Sequence, residues 1–73
     1  MNWHNSKELE RPKHLDYCLC ILNRNKGIIS TYYDQYNDCF VTQDDYGDKY
    51  YCNKIKAWIT FSEILEDYRK SQK

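Results

Sequence analysis

The chain has 73 residues, with 11 basic and 11 acidic side chains and a formal net charge of zero. That length allows one domain over residues 1–73, near the lower limit at which a single core suffices. The balanced charge removes the overall positive bias by which phosphate-tracking proteins announce themselves, and no run of roughly 18 apolar residues is present to span a membrane.

Residues 1–14 are polar and read as an extended lead-in held down by Trp3, Leu9 and Pro12. They lack the apolar segment of a secretory signal, so with Met1 in place a cytoplasmic location is the expectation. Leu15 to Leu22 is the strongest strand. Tyr17, Leu19 and Ile21 point one way and Cys18, Cys20 and Leu22 the other, so both faces are apolar and the strand is expected to be central and covered on each side. The turn 23–27, Asn-Arg-Asn-Lys-Gly, is rich in residues that tolerate positive φ. Ile28 to Asp34 returns as a hairpin strand. A second turn over 35–38 leads to a short strand from Cys39 to Thr42. The acidic stretch 43–48 is a loop without the alternating ligand pattern of a calcium site. Lys49 to Cys52 is a fourth strand and Ile55 to Ile59 a fifth.

The clearest local signals lie at the C-terminal end. Thr60 fits an N-cap, Glu63 completes a capping box, and Ile59 with Ile64 suits a hydrophobic staple. Phe61, Ile64, Leu65 and Tyr68 then form one apolar stripe, predicting a helix over 60–71. Arg69, Lys70 and Lys73 suit its negative end. Short connections favour an α+β fold, a small antiparallel β-meander of four to five strands over 15–59 with one C-terminal helix laid across a face or closing an end.

Four cysteines, Cys18, Cys20, Cys39 and Cys52, admit three readings. A disulfide framework suits an oxidising compartment, whereas this chain is expected to stay in a reducing one. A zinc-stabilised domain has the right ligand number, with His4 and His14 as substitutes. Strand residues two apart are about 6.5–7 Å from each other, however, too far for thiolates sharing an ion without a turn between them. Core thiols are the favoured reading, with no cofactor. No base is visibly held against a thiolate, and no paired carboxylates, triad or phosphate loop recommends a reaction class, so no enzyme is expected. The two histidines, in a polar segment, read as solvated.

Eight tyrosines exceed what so small a core can hold. The candidate interaction surface is therefore Tyr32, Tyr33, Tyr36, Tyr50 and Tyr51 with Arg24, and the expected function is a small protein-interaction module with an unidentified protein partner. The alternative is a single-stranded nucleic-acid platform in which Arg24 and Lys26 accompany those rings, disfavoured by the zero net charge. Pairing of a tyrosine-rich sheet edge with a second copy is left open. Trp3 is expected to pack near Trp58 and pin the lead-in to the sheet.

Trp3, Ser6, Leu9 and Pro12 in that order are followed by the apolar strand Cys18 to Leu22 and a Gly27-led strand ending Tyr32-Tyr33-Asp34. Phe40 and the strand Ile55-x-x-Trp58 complete a pattern over residues 3 to 59. It resembles a family of very small phage and prophage proteins known only as a domain of unknown function, whose members start with a tryptophan, a serine and a proline and finish on a strand carrying a tryptophan. Members commonly end in a proline-rich tail where Thr60 to Tyr68 here reads as helix, and carry valine or leucine at the positions of Cys18 and Cys20. The resemblance implies a bacterial or phage setting and an accessory role. It supplies no catalytic residue.

Overall fold

The computed structural model describes residues 1–72; Lys73, one of the three cations assigned to the helix end, lies outside them. Among the described residues are six strands and one α-helix: β1 (His4–Asn5), β2 (Tyr17–Leu22), β3 (Ile28–Asp34), β4 (Cys39–Thr42), β5 (Lys49–Tyr51), β6 (Ile55–Thr60) and α1 (Phe61–Ser71). Two 3₁₀ turns, Asn23–Asn25 and Cys52–Lys54, complete the regular structure. The fold is α+β, and its single antiparallel sheet runs in the order β1-β6-β2-β3-β4-β5.

From β2 to β5 the chain is the expected meander. The strand from Ile55 then departs from it, because β6 pairs with β2 rather than with β5. This has a geometric consequence. In a flat sheet β5 and β6 would stand four spacings apart, about 19 Å, and the three residues that join them could not reach. The sheet must therefore curl until its two sides approach. The rings confirm it: Phe40 of β4 and Trp58 of β6 are three strands apart in the order, yet their centroids lie at 6.3 Å.

Strand alternation decides what fills the curl. Opposed pairs Cys20 with Ile29 and Trp58, Cys18 with Thr31 and Thr60, and Tyr33 with Phe40 all point inward. Cys18, Cys20, Tyr33, Phe40, Ile55 and Trp58 form the buried cluster, with Ile29, Tyr50 and Cys52 packed against it. Thr31, enclosed among them, gives its hydroxyl proton to the Cys18 carbonyl at 3.2 Å, so its burial leaves no orphan donor. As expected, β2 is central. On its inward side Cys18 and Cys20 are fully buried and Leu22 half-buried, and its outward side, Tyr17, Leu19 and Ile21, is only partly covered.

The strand begins at Tyr17 rather than Leu15. Leu15 sits at φ 68, where its N–H donates to the Tyr33 carbonyl and the chain turns into the ladder. The lead-in is more regular than expected. His4 and Asn5 pair with Trp58 and Ala57 as an edge strand. Ser6 is buried, its N–H donating to the Lys56 carbonyl at 3.2 Å and its hydroxyl to the Ile55 carbonyl. Leu9, expected as an anchor, is 97% exposed. Backbone pairing and a buried hydroxyl help to hold this segment, and of the expected apolar anchors Trp3 and Pro12 are half-buried.

Candidate functional site

The proposed tyrosine surface is divided by strand alternation. Tyr33 faces Phe40 inside the curl, only 3% exposed, and its hydroxyl donates to Asp38, so it leaves the candidate surface. Burial first, and that hydrogen bond second, push its phenol far above the ordinary value. Tyr50 lies opposite Phe40 on the same inward side, at its rim. Tyr32, half-buried, and Tyr51, exposed, point outward. Tyr36 projects from the β3–β4 turn, 83% exposed and edge-on to His14 at 4.8 Å. Arg24 stands in the first 3₁₀ turn, where it shares a groove with Tyr50. No single stacking platform joins the five rings.

A more coherent apolar face lies elsewhere. The Thr60 hydroxyl accepts the Glu63 N–H at 3.1 Å, and Glu63 Oε1 accepts the Thr60 N–H at 3.1 Å, so the expected capping box is complete. The cap points α1 back over the outward side of β2 and β6. There Leu19, Phe61, Ile64 and Leu65 line a shallow apolar groove, with the Tyr17 ring 5.9 Å from that of Phe61. No residue of the helix is buried. Leu65, Tyr68 and Tyr17 are each about half exposed. Sequence patterning located the stripe but could not say that one sheet face is too narrow to cover it.

The third cluster was not legible. The His4 ring stacks on Trp58, centroids 4.2 Å apart and planes at 26°. Thus His4, not Trp3, is the ring over Trp58 and the pin of the lead-in, because β1 registers His4 opposite Trp58. Its Nδ1 lies 2.8 Å from Glu10 Oε1 and its Nε2 2.7 Å from Glu63 Oε2. Each imidazole nitrogen thus faces a carboxylate oxygen. Burial tends to raise the Glu63 carboxyl, but hydrogen bonds from His4 and from the Thr60 N–H and hydroxyl outweigh it and hold it below the ordinary value. Glu63 therefore caps the helix with one oxygen and clasps the edge strand with the other. Trp58 Nε1 is buried without an acceptor among the described residues, so packing and stacking hold this ring. Glu63 and Trp58 had sequence signals, the capping box and the tryptophan strand, whereas His4, 59 positions from Glu63, had none.

The cysteines behave as core side chains. Cys18, Cys20 and Cys39 are fully buried and Cys52 partly so, and all four are free thiols. Burial pushes each thiol upward, that of Cys20 to about 12. Among the described residues no three His, Cys, Asp or Glu side chains gather in a group able to hold a metal ion. No described helix is long and apolar enough to cross a membrane. In comparisons with known proteins, no family model matches this chain, and no curated protein or solved structure matches it significantly.

Proposed function

We propose that this chain is a non-enzymatic module that binds another protein through the apolar side of α1 and the strand beneath it, in the phage or mobile-element setting its sequence resemblance implies. One observation carries the reading: α1 has the pattern of a core-facing helix, yet none of its eleven residues is buried. Phe61, Leu65, Tyr68 and Tyr17 remain substantially exposed around the half-covered Leu19 and Ile64. Fully covering such a side chain is worth about 1.5–3 kcal/mol, so a partner laid on this face has a driving force that the isolated chain leaves unused. Large aromatic and aliphatic anchors suit such contacts, and Asp67 and Arg69 flank the stripe while Glu66 and Lys70 lie on the far side of the helix. The raised thiols, weakly nucleophilic at neutral pH, agree with a role without chemistry.

The test is affinity capture with three proteins: the native chain, Leu65→Asp, and Tyr46→Ser as a control at a remote exposed ring. A partner kept by the native chain and the control and lost by Leu65→Asp supports the reading. Retention by all three refutes it. Concentration-dependent self-association in sedimentation that Leu65→Asp abolishes assigns the face to a second copy and removes the need for a foreign partner.

A further inference from the structure

We infer that the tip built by the two 3₁₀ turns is a binding groove for a phosphate-type oxyanion. The zero net charge conceals a segregated distribution. Residues 23–27 and 52–56 contain Arg24, Lys26, Lys54 and Lys56 and no acidic side chain. The fold brings these separate segments together. Asn23 Nδ2 donates to the Asn53 carbonyl at 2.6 Å, and Lys56 Nζ donates to Asn25 Oδ1 at 3.2 Å. Between them is a groove of about 370 Å³ whose charged lining is Arg24, Lys26 and Lys54, with Asn23, Asn53 and the rim ring Tyr50 as polar and stacking partners. That volume falls within the range of roughly 300–1,000 Å³ typical of small-ligand sites. In the adjoining groove the one carboxylate is Asp38, already engaged by Arg11 Nε at 3.0 Å and by the Tyr33 hydroxyl.

In the first turn Arg24 is left-handed at φ 61, ψ 23, Asn25 follows at φ 54, and Lys26 returns to the right-handed region at φ −72. The 3₁₀ turn spends the Asn25 and Lys26 N–H groups on carbonyls three residues back, so the charge of the groove comes from side chains. A side chain as large as arginine rarely adopts the left-handed conformation. Arg24, Lys26 and Lys54 line one groove, an arrangement whose mutual repulsion an anion relieves. Tetrahedral oxyanions match this donor set because a planar guanidinium can engage two oxygens at once while the ammonium groups act as point charges. Tyr50 gives a flat surface for whatever the phosphate carries.

The experiment titrates the full chain with pyrophosphate and, separately, with a fluorescent oligothymidylate, reading backbone amide shifts and anisotropy at constant ionic strength within each titration, the oligothymidylate titration being repeated at several salt concentrations. Shifts confined to residues 22–27 and 50–56, and a binding constant weakened roughly tenfold by Arg24→Gln and again by Lys54→Gln, are the expected result. Pyrophosphate alone binding assigns the groove to free phosphate groups. Oligothymidylate binding as well, with a log–log salt slope of about −2 to −3 from three or four cations, assigns it to phosphodiesters. Either supports the inference. The same shifts with matched chloride, insensitivity to both substitutions, or tighter binding of a polyglutamate peptide than of either phosphate probe overturns it. Lys70→Gln, on the helix, controls for general charge loss. This outcome is independent of Leu65→Asp, which lies on the other side of the sheet.

Discussion

The two faces of the sheet are closed to different degrees. Inside the curl, Cys18, Cys20, Phe40, Ile55 and Trp58 are at most 2% exposed, while across the sheet the helix buries none of its residues. The outward face is covered unevenly: Cys39, Val41 and Ile59 are buried on it, while the helix stripe stays open. The difference arises from curvature. Curling brings β4 opposite β6 and encloses one side, while the convex side is spread and receives a single helix. A third region, the 3₁₀ tip, is neither: apart from the half-buried Cys52 its residues are exposed, and its charge is of one sign. The core and the two proposed recognition surfaces therefore lie apart, and substitutions should separate them.

The largest expected effect is at the centre of the closed face. Phe40→Ala removes the ring that bridges the curl and should cost about 3–5 kcal/mol, a large fraction of what so small a domain possesses. Urea unfolding measures it, and a loss below about 1 kcal/mol would mean that the closed face is not the main support. Next comes the seam between the faces. Thr60→Ala deletes the side-chain half of the capping box, leaving the Glu63 N–H without its hydroxyl acceptor while the backbone N–H of position 60 still donates to Glu63, and should cost about 1 kcal/mol, seen as a lower urea midpoint with reduced helical circular dichroism.

Acidity sharpens the same seam. Because the folded Glu63 carboxyl lies below its ordinary value near 4.5, its contribution is present above that pH and is lost as pH falls through the lower folded value. Glu63→Gln should therefore destabilise the chain at neutral pH, with the deficit shrinking below about pH 4.5. A deficit that stays constant down to the acid transition would detach Glu63 from the clasp with His4. The smallest effect is expected on the open face, where Leu65→Asp should change unfolding stability by no more than about 0.5 kcal/mol while abolishing partner capture. A loss comparable to that of Phe40→Ala would show that this face belongs to the core after all.

Much of the fold was legible because its signals are local. The strand Ile28–Asp34, the strand Cys39–Thr42 and the capped helix follow from alternation, turn residues and the Thr60–Glu63 spacing, each a matter of a few neighbouring side chains. The candidate surface was less legible. Tyr32 and Tyr33 look alike in sequence, and only knowing which strand face turns inward separates the exposed ring from the core ring. The clasp of His4 on Trp58 and Glu63, and the meeting of Arg24 with Lys54, join positions 30 to 59 residues apart and have no local trace.

By itself, then, the sequence determined the elements: where strands alternate, where the chain turns, where the helix starts, and that the thiols at 18 and 20 share one side. Hydrogen-bonding periodicity and side-chain shape act over a few residues, so these outcomes needed no partner from afar. Tertiary structure alone decided that β6 returns to β2, that the sheet curls, and which rings and charges thereby meet. Those choices depend on closing loops around a shared apolar interior, a balance of chain entropy against burial that no single segment encodes.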